Sequence, residues 1–143
     1  MSEINAAFGL LQLNHLDDAI KLRKNISEVY TKELNNIEGL EVLNVQQNIE
    51  RNYSYYPLLI NNDFPCSRDE LYNVLKNEHV YARRYFYPLI SDFPMYKNKP
   101  SARKENLVNA SLRAQQVICL PLYPTMTMSD ANRIIDIIKG AAK

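Results

Sequence analysis

VICLPLYPTMTMSDANRIIDIIKG, residues 117–140, predicts a buried strand followed by a capped helix. The strand is a run of apolar residues that Pro121 and Pro124 terminate, because proline has no amide hydrogen to donate to a sheet. Thr127 and Asp130 then have the spacing of a helix N-terminal cap. The apolar residues that follow recur on one helical face and should point inward: Ala131, Ile134, Ile135 and Ile138.

Two segments extend this core towards the N-terminus. NYSYYPLLIN, residues 52–61, is rich in β-forming residues and predicts a strand. We expect Pro57 within it to lie on a sheet edge or in a bulge. CSRDELYNVLKNEHV, residues 66–80, predicts a helix that opens with a capping box between Ser67 and Glu70.

The segment between that helix and the strand at 117 predicts mixed structure. VYARRYF, residues 80–86, is interpreted as a strand that Pro88 ends. A long proline-containing loop follows it. LVNASLRAQQ, residues 107–116, then predicts a short helix.

The N-terminal 36 residues predict two consecutive helices. We expect a break near Asn14, because Asp17 and Asp18 suit the first turn of a second helix. Gly39 is expected to cap that second helix, ahead of a short strand. The first helix is apolar on two faces, so it should be buried on more than one side. Its apolar residues are Ile4, Ala6, Ala7, Phe8, Leu10, Leu11 and Leu13.

The order of elements predicts an α+β fold. We expect one domain over residues 1–143, with a small and mainly antiparallel sheet covered by helices on one face. The helical segment 1–36 begins with a helix that is surplus to this core. We therefore expect that helix to be an association surface.

Composition excludes several function classes. Only three of the 143 residues are glycine, so neither a dinucleotide fingerprint nor a P-loop fits. The net charge of +1 argues against a nucleic-acid partner. Cys66 and Cys119 are isolated from each other and from His15 and His79, so no metal site is expected. The sequence contains no membrane span and no signal peptide, which favours a cytoplasmic protein.

VYARRYFYPLI, residues 80–90, is the candidate binding segment. Arg83 and Arg84 suit a bidentate grip on an anion such as phosphate, and Tyr85 and Tyr87 suit contact with a flat ring. On a strand the two arginines would point to opposite faces, so only one should meet a ligand. The alternative is that the arginines pair with surface acids such as Asp92 and that the tyrosines pack on the sheet.

Three segments together resemble the DegT/DnrJ/EryC1/StrS family of sugar aminotransferases. MSEINAAFGLLQLNHLDD, residues 1–18, is similar to that family's Met-Ser-Glu segment. RRYFYPLISDFPMY, residues 83–96, resembles its later Arg, aromatic and Pro-Leu segment. ICLPLYPTMTMSDANRIID, residues 118–136, resembles its closing segment and last helix. The likeness covers almost the whole chain in the family's order.

The resemblance implies the C-terminal small domain of a fold-type-I enzyme that uses pyridoxal phosphate. It implies that the Schiff-base lysine, the aspartate at the pyridine nitrogen and most phosphate ligands lie upstream of Met1. We therefore assign no catalytic and no cofactor-binding residue, and expect no cofactor on this chain alone. The resemblance implies that Arg83, Arg84, Tyr85 and Tyr87 bind a nucleotide-sugar.

Two functions follow as hypotheses. The first is a fragment of a nucleotide-sugar aminotransferase, inactive alone, which in the intact enzyme would transfer an amino group from glutamate to a keto-deoxysugar. Its first helical segment, 1–36, would pack on the large domain or on a partner subunit in a homo-oligomer. The second is a detached, non-catalytic module that binds a partner through its first helix.

Overall fold

A computed structural model describes residues 1–43 and 48–142. The elements, in chain order, are α1 (Glu3–Leu13), α2 (Leu16–Leu34), β1 (Leu40–Val42), β2 (Tyr56–Ile60), α3 (Arg68–Asn77), α4 (Val108–Gln116), β3 (Val117–Leu120) and α5 (Met128–Ala141). Between α3 and α4 the long loop contains three short 3-10 turns, at Ile90–Asp92, Pro100–Ala102 and Lys104–Asn106.

The sheet has three antiparallel strands in the order β1-β2-β3. Leu40 pairs with Ile60 across β1 and β2, and Leu58 pairs with Ile118 across β2 and β3. Alternate residues of β2 and β3 join one apolar cluster with α2, α3 and α5. The predicted α+β fold, a small antiparallel sheet with helices packed on it, is confirmed.

Three helices contribute buried apolar side chains to the core. Ile26, Tyr30 and Leu34 are the buried apolar side chains of α2, and Leu71 and Leu75 are those of α3. In α5 the buried set is the predicted one: Ala131, Ile134, Ile135 and Ile138. Burying a large apolar side chain stabilises a fold by roughly 1.5–3 kcal/mol, so these contacts between helices and sheet hold the domain together.

The predicted helix starts are confirmed. The break near Asn14 separates α1 from α2, and Asp17 and Asp18 lie in the first turn of α2. Capping boxes open α3 and α5, where Ser67 pairs with Glu70 and Thr127 pairs with Asp130. Each box satisfies backbone amides that would otherwise lack a partner in the first turn.

The predicted role of Gly39 as a helix cap is wrong. Helix α2 ends earlier, at Leu34, and Asn35 caps it. Gly39 lies instead in the turn before β1, where its φ is 78°. A Cβ at this position would overlap the backbone of Phe64, so the glycine is required by this close approach and by its positive φ.

The predicted edge position of Pro57 is also wrong, because β2 is the central strand. The pairing with β1 ends at Leu58, the residue that follows the proline, so Pro57 has no partner in the described part of β1. On the other side Pro57 lies opposite Cys119, whose amide and carbonyl both bond Arg83 instead. The missing amide hydrogen of Pro57 is therefore needed by neither neighbour.

Residues 80–86 do not form the predicted strand. Only Arg83 pairs with β3, through hydrogen bonds of 2.9 Å and 2.7 Å to the carbonyl and amide of Cys119. The chain turns away three residues later, at Phe86, whose φ is +46°. The segment forms a single bridge at the outer edge of β3 and not the predicted strand, because this turn ends the extended conformation.

Within the described ranges, no helix is both long enough and apolar enough to cross a lipid bilayer.

Candidate functional site

The four predicted binding residues lie where the chain leaves β3. The bridge to Cys119 fixes the backbone of Arg83, and the turn at Phe86 directs the residues that follow towards α3 and α4. The side chains of this stretch are exposed, in contrast to the neighbouring Ala82, which is buried. The segment is therefore anchored by its main chain and presents its side chains to solvent.

Arg84 contacts the start of α3. Its Nη1 lies 3.3 Å from Oδ1 of Asp69, and its guanidinium stacks on the rings of Tyr72 and Tyr87 at 4.8 Å and 5.0 Å. An ion pair with a surface acid was the alternative that the sequence left open, and for Arg84 the acid is Asp69 rather than Asp92. Such an exposed pair contributes little to stability, but it fixes the direction of the guanidinium.

Arg83 has a different environment. Its guanidinium forms no hydrogen bond and no ion pair with residues 1–43 or 48–142. It lies near Cys119, where its charge partly offsets the effect of burial on the thiol. That burial raises the pKa of Cys119 to about 11, so the thiol is protonated at neutral pH and is a poor nucleophile.

The two predicted tyrosines line different cavities. Tyr85 packs edge-on against Tyr55, with ring centroids 5.3 Å apart, beside an apolar cavity of about 330 Å³ over Leu59 and Cys119. Tyr87 lines a larger, more polar cleft of about 550 Å³ at the start of α3. The structure thus brings Arg84 and Tyr87 together and places Tyr85 beside a second cavity.

Sequence reasoning missed Arg68, the first residue of α3. It is only 3% exposed, and its Nη1 donates hydrogen bonds of 3.0 Å to the carbonyls of Ala114 and Val117. Its Nε bonds Asp69 at 2.8 Å, and its guanidinium lies 4.7 Å from the centroid of Tyr87. A cation in the first helical turn opposes the helix dipole, and this signal in the sequence could have identified Arg68.

The described residues do not fit a Schiff-base site for pyridoxal phosphate. A lysine that binds the cofactor must face an enclosed site, but no lysine lines any of five cavities that the described residues form. Lys139 instead bonds Glu33 at 2.6 Å, and Lys24 pairs with Glu28. Among the same described residues, no three His, Cys, Asp or Glu side chains cluster as metal ligands would.

Known proteins that resemble nearly the whole chain include aminotransferases. The chain is 42% identical to dTDP-4-amino-4,6-dideoxy-D-glucose transaminase of Escherichia coli over 140 residues, which are 98% of this chain and 38% of that enzyme. The solved structure of S. venezuelae DesV matches with a TM-score of 0.87 at 23% identity, over 100% of this chain and 37% of that one.

DesI, solved in the presence of its TDP-sugar product, matches with a TM-score of 0.83 at 25% identity, over 99% of this chain and 36% of that one. The chain therefore spans less than two fifths of the length of these relatives. The sequence profile of one family matches residues 1–139, nearly the whole chain. On that match and on the 42% identity, the chain belongs to the DegT/DnrJ/EryC1/StrS aminotransferase family.

Proposed function

We propose that this chain is the small-domain part of a nucleotide-sugar aminotransferase that uses pyridoxal phosphate and acts on a dTDP-linked keto-deoxysugar. The observation that carries the proposal is the 42% identity, over 98% of the chain, to a transaminase of a dTDP-linked sugar. In this proposal the catalytic lysine belongs to a part of the enzyme outside the present chain, which covers 38% of the length of that relative.

The proposed reaction exchanges an amino group for a carbonyl oxygen. Glutamate gives its amino group and becomes 2-oxoglutarate, while the keto-sugar gives up its carbonyl oxygen and becomes an amino-sugar. The cofactor serves as the electron sink and amino carrier between the two half-reactions. This chain contributes binding and orientation of the sugar nucleotide.

Candidate contacts come from the exposed stretch at residues 83–87. Arg83 has a guanidinium that no described residue engages, which suits a diphosphate or a sugar hydroxyl. Tyr85 and Tyr87 present rings beside two cavities. Along this stretch two arginines are followed by three aromatic residues, which fits a ligand that has both a diphosphate and flat or cyclic groups.

The N-terminal segment 1–36 completes the proposal for the intact enzyme. Helix α1 contains no buried residue, although most of its side chains are apolar. We infer that it packs on the large domain or on the partner subunit of a homo-oligomer, in a cytoplasmic enzyme. The same exposure favours the second candidate function, a non-catalytic module that binds a partner protein through α1.

A chimeric enzyme separates the two candidates. The present chain would replace the matching segment of the Escherichia coli transaminase, which it resembles at 42% identity. We expect the chimera to convert a dTDP-linked 4-keto-6-deoxyhexose to the amino-sugar with release of 2-oxoglutarate from glutamate. Product formation would be measured by mass spectrometry, with a GDP-linked keto-sugar as the competing substrate.

The glutamate half-reaction is the control for assembly, because it needs the cofactor and the fold but no sugar nucleotide. A chimera that releases 2-oxoglutarate from glutamate in a single turnover and yet aminates no dTDP-linked keto-sugar would contradict the proposed function. It would favour the interaction module instead.

A further inference from the structure

We propose that Arg68, Asp69 and Arg84 clamp the ring of Tyr87 as a wall of the substrate site, which leaves Arg83 as the arginine that contacts the substrate. The clamp is a feature of this chain's own geometry. The assignment of Arg83 to substrate rests on the proposed function. Arg84 and Arg68 are thereby positioning residues rather than ligand-binding residues.

One member of the clamp, Arg68, is fixed by the interior of the domain. The buried guanidinium of Arg68 donates to the carbonyls of Ala114 and Val117, at the junction of α4 and β3. These two bonds hold the plane of the guanidinium, which faces Tyr87 at 4.7 Å from the ring centroid. A guanidinium is suited to this position because it donates within its plane and stacks through its face.

The other member, Arg84, lies nearer the surface. Arg84 lies 5.0 Å from the centroid of Tyr87 and is more exposed than Arg68. Oδ1 of Asp69 accepts from both arginines, at 2.8 Å from Arg68 and 3.3 Å from Arg84. One carboxylate therefore holds two cations near the same ring, and it offsets the repulsion between them.

This arrangement gives the two adjacent arginines different tasks. The guanidinium of Arg84 forms an ion pair with Asp69 and stacks on the rings of Tyr72 and Tyr87. The main chain of Arg83 forms two hydrogen bonds with Cys119. Its guanidinium forms no hydrogen bond or ion pair with residues of the described ranges. An incoming anion would have to displace Asp69 from Arg84, whereas Arg83 needs no such exchange.

The clamp can be tested without ligand because the chain contains no tryptophan. Tyr87→Trp introduces a single fluorophore at the clamped position, and tryptophan is the best aromatic partner for a cation. Adding Arg84→Ala should increase acrylamide quenching about two- to fivefold, the population shift expected for one lost cation–π contact at an exposed site. Arg68→Lys should act in the same direction, since an ammonium cannot donate in a plane and stack at once.

Two matched controls isolate the clamp. Arg83→Ala in the Tyr87→Trp chain should leave quenching unchanged. Tyr85→Trp, placed against Tyr55 and Phe86 rather than the arginines, should not respond to Arg84→Ala. Unchanged quenching of the Tyr87→Trp chain by both Arg84→Ala and Arg68→Lys, with native circular dichroism, would overturn the clamp.

The assignment of Arg83 is tested with dTDP as the probe, by NMR titration of the 143-residue chain. Arg83→Ala should weaken binding roughly ten- to a hundredfold, the loss of one hydrogen bond to a charged group. Arg84→Ala should weaken it less; an equal or larger loss would overturn the assignment of Arg83. If the wild-type chain binds no dTDP, the proposed function of this surface fails, while the quenching experiment still decides the clamp.

Discussion

Helices α1 and α5 have similar N-terminal caps, but α1 is exposed and α5 is partly buried in the core. Each starts with a hydroxyl cap: Ser2 accepts from the amide of Asn5 at 3.3 Å, and Thr127 accepts from the amide of Asp130 at 3.1 Å. Both are rich in apolar side chains. Yet α1 contains no buried residue, whereas α5 buries a full stripe against α2 and α3.

The difference between the two helices lies in what each apolar pattern can meet. Helix α5 is apolar on one face, and that face matches the surface that α2, α3 and the sheet present. Helix α1 is apolar on more than one face, and the described residues bury none of its side chains. An apolar helix is thus part of a core only where the fold supplies a partner.

The largest effect on stability is expected when one apolar side chain is removed from each helix. Ile138→Ala should destabilise the domain by about 2–5 kcal/mol, because it leaves a cavity among buried residues. Ile138 is 0% exposed, whereas Leu11 is 62% exposed. Leu11→Ala should therefore change the free energy of unfolding very little. Urea denaturation followed by circular dichroism measures both, and a similar loss in the two variants would refute the contrast.

The second test asks whether α1 is an association surface. Phe8 is 62% exposed at the centre of the helix. We expect the wild-type chain to self-associate, and Phe8→Asp to weaken association at least about tenfold, since a buried aromatic side chain contributes roughly 1.5–3 kcal/mol. Sedimentation equilibrium measures the change.

The matched control is Val108→Asp, which places the same charge at an apolar residue exposed on α4. It should leave association unchanged. A strictly monomeric wild-type chain at high concentration would remove self-association from the proposal for α1.

The smallest effect is expected at the caps. Thr127→Ala should lower the free energy of unfolding by about 1 kcal/mol, because the first turn of α5 loses its cap while the helix remains part of the core. Ser2→Ala removes a similar cap from a helix that buries nothing, so global stability should not change measurably. Paired urea titrations measure the difference. Equal losses would mean that α1 folds cooperatively with the domain.

Local signals in the sequence predicted most of the elements. The hydroxyl and carboxylate pairs at Ser67 and Thr127 identified the starts of α3 and α5, since a capping box uses only neighbouring atoms. The apolar run before Pro121 identified β3. These features depend on residues close in sequence, so a single chain reveals them.

The wrong predictions concern residues whose conformation depends on contacts with residues distant in sequence. Pro57 is tolerated in the central strand because Cys119 directs its amide and carbonyl to Arg83, far away in sequence. Gly39 is required by the backbone of Phe64 rather than by the end of a helix. Residues 80–86 have high β-propensity, but the turn at Phe86 limits their pairing to one bridge. Propensity reports a tendency, and tertiary contacts determine whether it is used.

The sequence by itself determined the α+β class, the caps, the apolar stripe of α5 and the stretch that holds Arg83, Arg84, Tyr85 and Tyr87. Only the tertiary structure decided what those side chains contact. It placed the guanidinium of Arg68 over the ring of Tyr87, nineteen residues later in the chain, and paired Arg84 with Asp69. The physical reason is range: periodicity and capping act within a few residues, whereas the direction of a guanidinium is set by whichever acceptors and rings the fold brings near it.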